Sequence, residues 1–223
     1  MRRRRLLRPL AIFVAAGVIL FGFATVVSFG SDTGPIGARA NDLLRGPFFV
    51  IGFEIDYQPG ASPDKVQVDR FLDFVERYTG KATSVGYRQL PPGDDDVVTM
   101  DEASAIAVKN RDSFSSLFWT LSVHILYLDA AIDGKDTAGF SFQATSIVIL
   151  GKQIPDGFVE AAVLAHEFGH LMGLCGLYSQ SDLCDGDGHA VDPQSLMAQF
   201  ISPYSQNVKD LVLTDREVAL LSP

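Results

Sequence analysis

The longest uncharged, apolar stretch of the chain covers residues 9–30, directly behind five arginines. About 20 apolar residues are enough to cross a bilayer, and preceding arginines predict that the amino terminus stays in the cytoplasm. We therefore predict a basic cytoplasmic segment over 1–8, a transmembrane signal anchor over 9–30, and a single-pass membrane protein whose residues 31–223 are extracytoplasmic. A cleaved signal peptide is the alternative, although its apolar region usually spans only ~7–15 residues.

Behind this stretch, the hydrophobic pattern predicts one domain over 47–223, joined through a Gly-, Ala-, Asp- and Ser-rich linker over 31–46. Alternating or β-branched runs predict strands, and apolar positions at helical spacing between caps and glycines predict helices. Their order predicts an α/β or α+β domain with one mixed twisted sheet, and of the two classes we favour α+β. In chain order the elements are a strand over 48–57, a helix from Ser62-Pro63 to Gly80, a strand over 81–90, a helix from Thr99 to Asn110, β-rich runs over 117–128 and 140–150 with a bend near Gln143, and a long helix over 158–173.

Charge and cysteine content bear on the class of partner and on a possible disulfide. Of the 18 basic residues, five precede residue 9, so 13 remain against 27 acidic residues. Such an acidic domain argues against nucleic acid as a partner. Cys175 and Cys184 lie close together in a segment predicted to be extracytoplasmic, where a local disulfide is expected and two free thiols are the alternative.

The long helix carries the motif His166-Glu167-Phe168-Gly169-His170. Histidines four positions apart lie one turn apart on the same helix face, so both imidazoles can reach one metal ion. Two neutral imidazoles and a third ligand suit zinc with an open position for water, whose pKa the metal lowers toward ~7. Glu167 is then placed to accept a proton from that water and to deliver it to the leaving amine of a peptide bond.

The segment behind the helix offers three candidates for the third ligand. His189 is favoured, and Asp185 or Asp187 could replace or join it. Carboxylate oxygens in a Gly-rich loop also suit calcium, so a Ca²⁺ site at these aspartates is an alternative. A thermolysin-like downstream glutamate would have to be Glu217, which instead belongs to a capping box with Thr214 that predicts a C-terminal helix.

Together these residues resemble the metzincin clan of zinc proteases, and within it the matrixin-like members, whose pattern is HExxHxxGxxH followed by a methionine in a tight turn. The chain matches the first four positions of that pattern, but position 176 is a glycine and the next histidine stands eight residues before Met197, the spacing that matrixins commonly show. The resemblance implies a metzincin-like domain whose last strands border the cleft, with an insertion over 175–188 stapled by the two cysteines. The roles that it implies are zinc ligation by His166, His170 and His189, base catalysis by Glu167, and a turn methionine at Met197.

The function predicted from these features is a zinc-dependent endopeptidase that uses a Glu-activated zinc-bound water. It would act on a protein or peptide substrate and be anchored in the lipid bilayer through residues 9–30. A proteolytically inactive zinc-binding membrane protein is the alternative, because an insertion that covers the cleft could abolish activity. A third interpretation is a recognition module in which the motif is accidental.

Overall fold

A five-stranded sheet forms the centre of the protein. The computed structural model describes residues 32–112, 119–154, 157–175, 182–201 and 204–221. Four neighbouring strands of the sheet are parallel, and the fifth, at one edge, is antiparallel to its neighbour. The sheet order is β2 (Ala82–Gln89), β1 (Val50–Tyr57), β4 (Thr120–Leu128), β7 (Ser146–Leu150) and β6 (Gly139–Phe142), and two short strands, β3 (Val97–Val98) and β5 (Ala131–Ile132), pair separately.

Helices cover both faces of the sheet. On one face, α2 (Lys65–Thr79) and α4 (Gly157–Leu171) enclose the main apolar core, where the rings of Phe71 and Phe168 meet edge to face at 5.8 Å. On the other face, α3 (Met100–Asn110) buries small side chains against β4 and β7. The remaining helical segments are α1 (Ala40–Leu44), α5 (Gln206–Asp210), α6 (Asp215–Leu221), and two 3-10 turns, Pro59–Ala61 and Gly151–Gln153.

The architecture is α/β with a mixed sheet, so the predicted α+β class is wrong. Parallel neighbours need a long crossover between them, which the chain supplies as α2 between β1 and β2 and as α3 between β2 and β4. With helices on both faces, every residue of β4 from Leu121 to Leu128 is buried. The hydrophobic pattern identified these elements, but it carries no information on the direction in which two strands pair.

The transmembrane helix and the single-pass membrane localisation predicted from the sequence also require correction. Within the described ranges, no helix is both long and apolar enough to span a bilayer. The longest helices there, α2 and α4, have 15 residues each, whereas a membrane span needs ~20. The predicted anchor at 9–30 lies outside the described residues.

Local signals in the sequence account for several element boundaries. Helix α2 starts behind Asp64, whose carboxylate accepts a 2.8 Å hydrogen bond from the amide of Val66, and it ends at Gly80, which has a φ of 67°. The predicted cap at Thr99 is confirmed, since Thr99 and Glu102 form a reciprocal capping box at the start of α3. The predicted bend at Gln143 is confirmed as well, because this residue has a φ of 55° between β6 and β7.

The segment predicted as a linker packs against the domain from Asp32 onward. Leu43 is fully buried in the main core, and the buried guanidinium of Arg39 pairs with Asp32 and with Asp42. Gly37 has a φ of 81°, and a Cβ atom there would lie 3.5 Å from the Cα of Gly173. This close approach brings the segment to the carboxyl end of α4.

A charged cluster lies on the face of the sheet that α3 covers. His124 Nε2 is 3.0 Å from the buried carboxylate of Asp56, which confirms the prediction that His124 is a strand residue with a local partner. Burial alone would raise the pKa of Asp56, but hydrogen bonds from His124 and Arg88 outweigh burial and lower it. Two residues earlier on β1, burial and the neighbouring Asp112 raise the pKa of Glu54 to about 7.

Candidate metal centre

Helix α4 brings His166 and His170 together one turn apart. The Nδ1 atom of His166 is 2.9 Å from the carbonyl oxygen of Leu196, and that of His170 is 3.1 Å from the carbonyl oxygen of Leu174. A carbonyl oxygen can only accept, so each Nδ1 carries the proton and each Nε2 presents a lone pair. These carbonyl contacts orient both rings and select the tautomer that suits metal binding through Nε2.

The two Nε2 atoms face each other at 3.1 Å. Two lone pairs at this distance repel, and burial, the main cause, lowers the pKa of both histidines to about 4, so neither ring supplies a bridging proton at neutral pH. Two nitrogens ~2.0 Å from one tetrahedral zinc lie about 3.3 Å apart. The donor atoms therefore fit a metal cation between them.

His189 supplies a third imidazole to the same place. One ligand atom from each of the three histidines lies within 4.8 Å of the others, and the rings of His166 and His189 stack at 5.4 Å between centroids. The Nδ1 atom of His189 is buried and has no hydrogen-bond partner among the described residues. Three imidazoles that converge in this way fit the coordination of one cation. Ligation by these three residues stays a prediction.

The loop before His189 holds this imidazole by backbone contacts. The carboxylate of Asp185 accepts hydrogen bonds from the amides of Asp187 at 3.0 Å and of His189 at 2.8 Å, and the amide of Asp185 donates to the carbonyl of His189 at 2.7 Å. Gly188, with a φ of 88°, has no room for a side chain, because a Cβ atom would lie 2.9 Å from the carbonyl oxygen of Cys175. Cys175 and Cys184 form a disulfide with Cα atoms 5.4 Å apart, so the bridge expected from the sequence is present.

The competing ligands considered from the sequence do not join this cluster. Within the described residues, the three histidines form the one group of at least three metal-ligating side chains. Asp185 is engaged with the backbone of its own loop, and nothing supports a calcium site at Asp185 or Asp187. Glu217 caps α6 by accepting hydrogen bonds from Thr214, as the sequence predicted, and is not part of the cluster.

Glu167 lies beside the histidines in a cleft of about 300 Å³. Ser141 of β6 donates a 2.8 Å hydrogen bond to its Oε2 atom. Burial raises the pKa of Glu167, against the opposing influence of His170 and of the hydrogen bond from Ser141. The cleft is also lined by Ile36, Phe140, His170 and His189. A carboxylate of raised proton affinity thus shares one small cleft with two of the imidazoles.

Met197 packs directly under α4. It is fully buried, and a Cβ atom on Gly169 would lie 2.3 Å from its sulfur, so the glycine permits this contact. The Met197 carbonyl accepts a 2.7 Å hydrogen bond from Ala190, which ties the methionine turn to the residue after His189. Ser195 links the same turn to α6, because its hydroxyl donates to Glu217 and accepts from the amide of Met197 at 2.8 Å.

Sequence reasoning missed two contributors to this cleft. Ser141 is 26 residues from Glu167 in sequence, and Ile36 comes from the segment that looked like a linker. A serine in a strand and an isoleucine beside glycines carry no signal of their own. Only the pairing of β6 with β7 and the docking of residues 32–46 bring them to the site.

Comparisons with known proteins give a structural likeness only. No protein-family model and no curated protein matches the chain. An archaemetzincin from Methanopyrus kandleri is similar at 18% identity with a TM-score of 0.49, covering 79% of this chain and 95% of that one. An archaemetzincin from Archaeoglobus fulgidus, complexed with malonate, has 14% identity and a TM-score of 0.46, with 76% and 99% covered.

Metalloproteinase-II from Bacteroides fragilis is similar at 14% identity with a TM-score of 0.47, where 80% of this chain matches 53% of that one. With TM-scores no higher than 0.49, these likenesses carry no functional argument.

Proposed function

We propose that the protein is a zinc-dependent endopeptidase, with His166, His170 and His189 as metal ligands and Glu167 as the catalytic base. The observation that carries the proposal is the pair of Nε2 lone pairs that face each other at 3.1 Å, each fixed by a carbonyl contact at the opposite ring nitrogen. Neutral imidazoles held in this way suit zinc in preference to harder cations.

Held by His166, His170 and His189, zinc would supply Lewis-acid chemistry, which lowers the pKa of water and polarises a carbonyl oxygen. The buried carboxylate of Glu167, whose pKa burial raises, accepts the proton of the attacking water. The same carboxyl group then returns this proton to the leaving amine, so hydrolysis needs no covalent intermediate.

Strand β6 gives the cleft a place for an extended peptide. It is one of the two edge strands of the five-stranded sheet, and it contributes Gly139, Phe140 and Ser141 to the cleft wall. An edge strand offers unpaired backbone donors and acceptors to a peptide that adds alongside it. A protein or peptide segment in extended conformation is therefore the substrate class that this cleft accommodates.

The test compares the purified full-length chain with its Glu167→Gln, His189→Ala and Asp187→Ala variants. For each protein, bound zinc per chain and hydrolysis of a denatured protein substrate are measured. Glu167→Gln should keep its zinc and lose about 10²–10⁴-fold in rate, because it retains the shape of the side chain but not the base. His189→Ala should lose tightly bound zinc, while Asp187→Ala, the matched control in the same loop, should keep it.

Three outcomes would contradict the proposal in different ways. Equal hydrolysis by wild type and Glu167→Gln would exclude Glu167 as the catalytic base. Zinc binding without hydrolysis in the wild type would favour the inactive zinc-binding protein. A folded wild type that binds no zinc would reduce the motif to coincidence.

A further inference from the structure

A buried hydroxyl group is hydrogen-bonded to the carboxylate of Glu167. The Oγ atom of Ser141 is 2.8 Å from Glu167 Oε2 and 2.7 Å from the backbone carbonyl oxygen of the same residue. Ser141 is 9% exposed and Glu167 is 6% exposed, so bulk water competes little for this contact. We propose that Ser141 is a positioning residue: its hydroxyl holds Oε2 of Glu167 and leaves Oε1 as the oxygen that exchanges the proton with the attacking water. This inference rests on the proposed function.

The contact joins two rigid elements at the one point where the reaction needs a fixed geometry. Glu167 lies on α4 between the two histidines of the motif, and Ser141 lies on β6, where its partner in the neighbouring strand is Ile147. A glutamate side chain has three rotatable bonds, and its terminal torsion is broad. A hydrogen bond from a paired strand restricts that torsion, and a shift of ~1 Å in a reacting group can cost roughly 100-fold in rate.

The two carboxylate oxygens thereby acquire different tasks. A serine hydroxyl has one hydrogen to donate, and both of its acceptors here belong to Glu167. When Glu167 is ionised, its charge makes Oε2 the stronger acceptor of this hydrogen, and the backbone carbonyl oxygen is the competing acceptor. Oε2 still accepts when Oε1 carries the proton, because Oε2 is then the carbonyl oxygen of the acid. The hydrogen bond therefore survives the whole proton cycle, and the plane of the carboxyl group need not move.

A purely structural role for Ser141 makes a different prediction from a positioning role. If the hydroxyl only satisfied a buried carboxylate, its removal would lower the free energy of unfolding and leave the kinetics of the folded enzyme intact. If it positions the base, removal lowers kcat with little change in KM, because the lost interaction serves the transition state rather than substrate binding.

The kinetic experiment uses Ser141→Ala and Ser141→Thr, with Ser146→Ala as the matched control. Ser146 is also a buried serine, in the neighbouring strand β7, and it accepts a 2.9 Å hydrogen bond from Arg111 on the opposite face of the sheet. We expect Ser141→Ala to bind zinc normally, to lose roughly 10–100-fold in kcat, and to keep its KM within about twofold. Ser141→Thr, which retains a hydroxyl, should recover most of kcat, and Ser146→Ala should match wild type in both constants.

A structural readout tests the same inference without turnover. Crystal structures of zinc-free wild type and Ser141→Ala should show one Glu167 conformer in the wild type and a rotated or multiply placed carboxyl group in the variant. Wild-type kcat in Ser141→Ala, or an unmoved Glu167 carboxyl group in its crystal structure, would overturn the inference. If wild type hydrolyses no peptide, the proposed function fails, and the crystallographic comparison still decides whether Ser141 fixes the carboxylate.

Discussion

Replacing both cysteines by serine should destabilise the protein by a predictable amount. The bond joins Cys175 to Cys184 across a sequence separation of 9. Closing a loop of this length removes about 9 cal/mol/K from the entropy of the unfolded chain, which corresponds to about 2.7 kcal/mol of stability at room temperature. For a domain of this size, the midpoint of thermal unfolding should fall by about 5–10 °C.

The measurement is thermal unfolding of wild type and of Cys175→Ser/Cys184→Ser, each with a chelator so that metal binding does not contribute. The chain contains 2 cysteines, both in this bond, so a reductant should lower the midpoint of wild type and leave the double variant unchanged. Equal midpoints for wild type and the double variant would refute the reasoning, as would an equal response of both proteins to the reductant.

Zinc affinity should also fall when the disulfide is lost, but by less than the stability that the disulfide contributes. The full ~2.7 kcal/mol would correspond to a loss of about 100-fold in zinc affinity if the disulfide alone held His189 in place. Two other contacts also hold His189 in place. They are the hydrogen bonds to Asp185 and the 2.7 Å hydrogen bond from the amide of Ala190 to the carbonyl oxygen of Met197. Zinc titration of the reduced and oxidised proteins should therefore show a loss of affinity below that limit.

Three further substitutions test other features of the structure. Glu54→Gln should flatten the pH dependence of stability, because the raised pKa of Glu54 lets the folded state hold a proton that the unfolded chain releases. The free energy of unfolding of the wild type should therefore fall as the pH rises from 4.5 to about 7. Urea unfolding on either side of this window can measure the difference. Asp56→Ala should lower the free energy of unfolding by about 3–5 kcal/mol, because it leaves His124 buried without its carboxylate partner. Denaturant titration measures this loss, and a value below about 1 kcal/mol would contradict the expectation. Gly169→Ala should destabilise the protein by about 1–3 kcal/mol despite the ~1 kcal/mol gain in helix propensity, because the new methyl group meets the Met197 sulfur. Combined with Met197→Ala in the same chain, the two changes in the free energy of unfolding should be clearly non-additive.

The proximity of the three histidines was easier to predict from the sequence than the architecture around them. His166, Glu167 and His170 share one helix, so their spacing alone placed them together. His189 could be proposed from its distance to Met197, and the structure brings its ring next to the other two. The proximity of these residues could be anticipated because it depends on local spacing along the chain, and their roles as ligands and base stay predictions.

Other features depend on contacts between distant segments and could not be predicted. The parallel pairing of β1 with β4 joins residues about seventy positions apart, as in the pair Val50 and Thr120. The contact of Ser141 with Glu167 and the docking of Leu43 in the core have the same character. Hydrophobic periodicity shows which side of an element is buried, but not which element covers it.

Strand β6 has a consequence for the behaviour of the protein at high concentration. An open sheet edge that can accept a peptide can also accept the corresponding edge of a second copy, which is a common route to aggregation. This edge is only four residues long, from Gly139 to Phe142, and the chain turns away at Gln143 with a φ of 55°. Four residues span about 13 Å, enough for a short peptide but too little for stable pairing between two sheets. The shortness of β6 therefore limits edge-to-edge pairing between two copies and still leaves room for a short peptide.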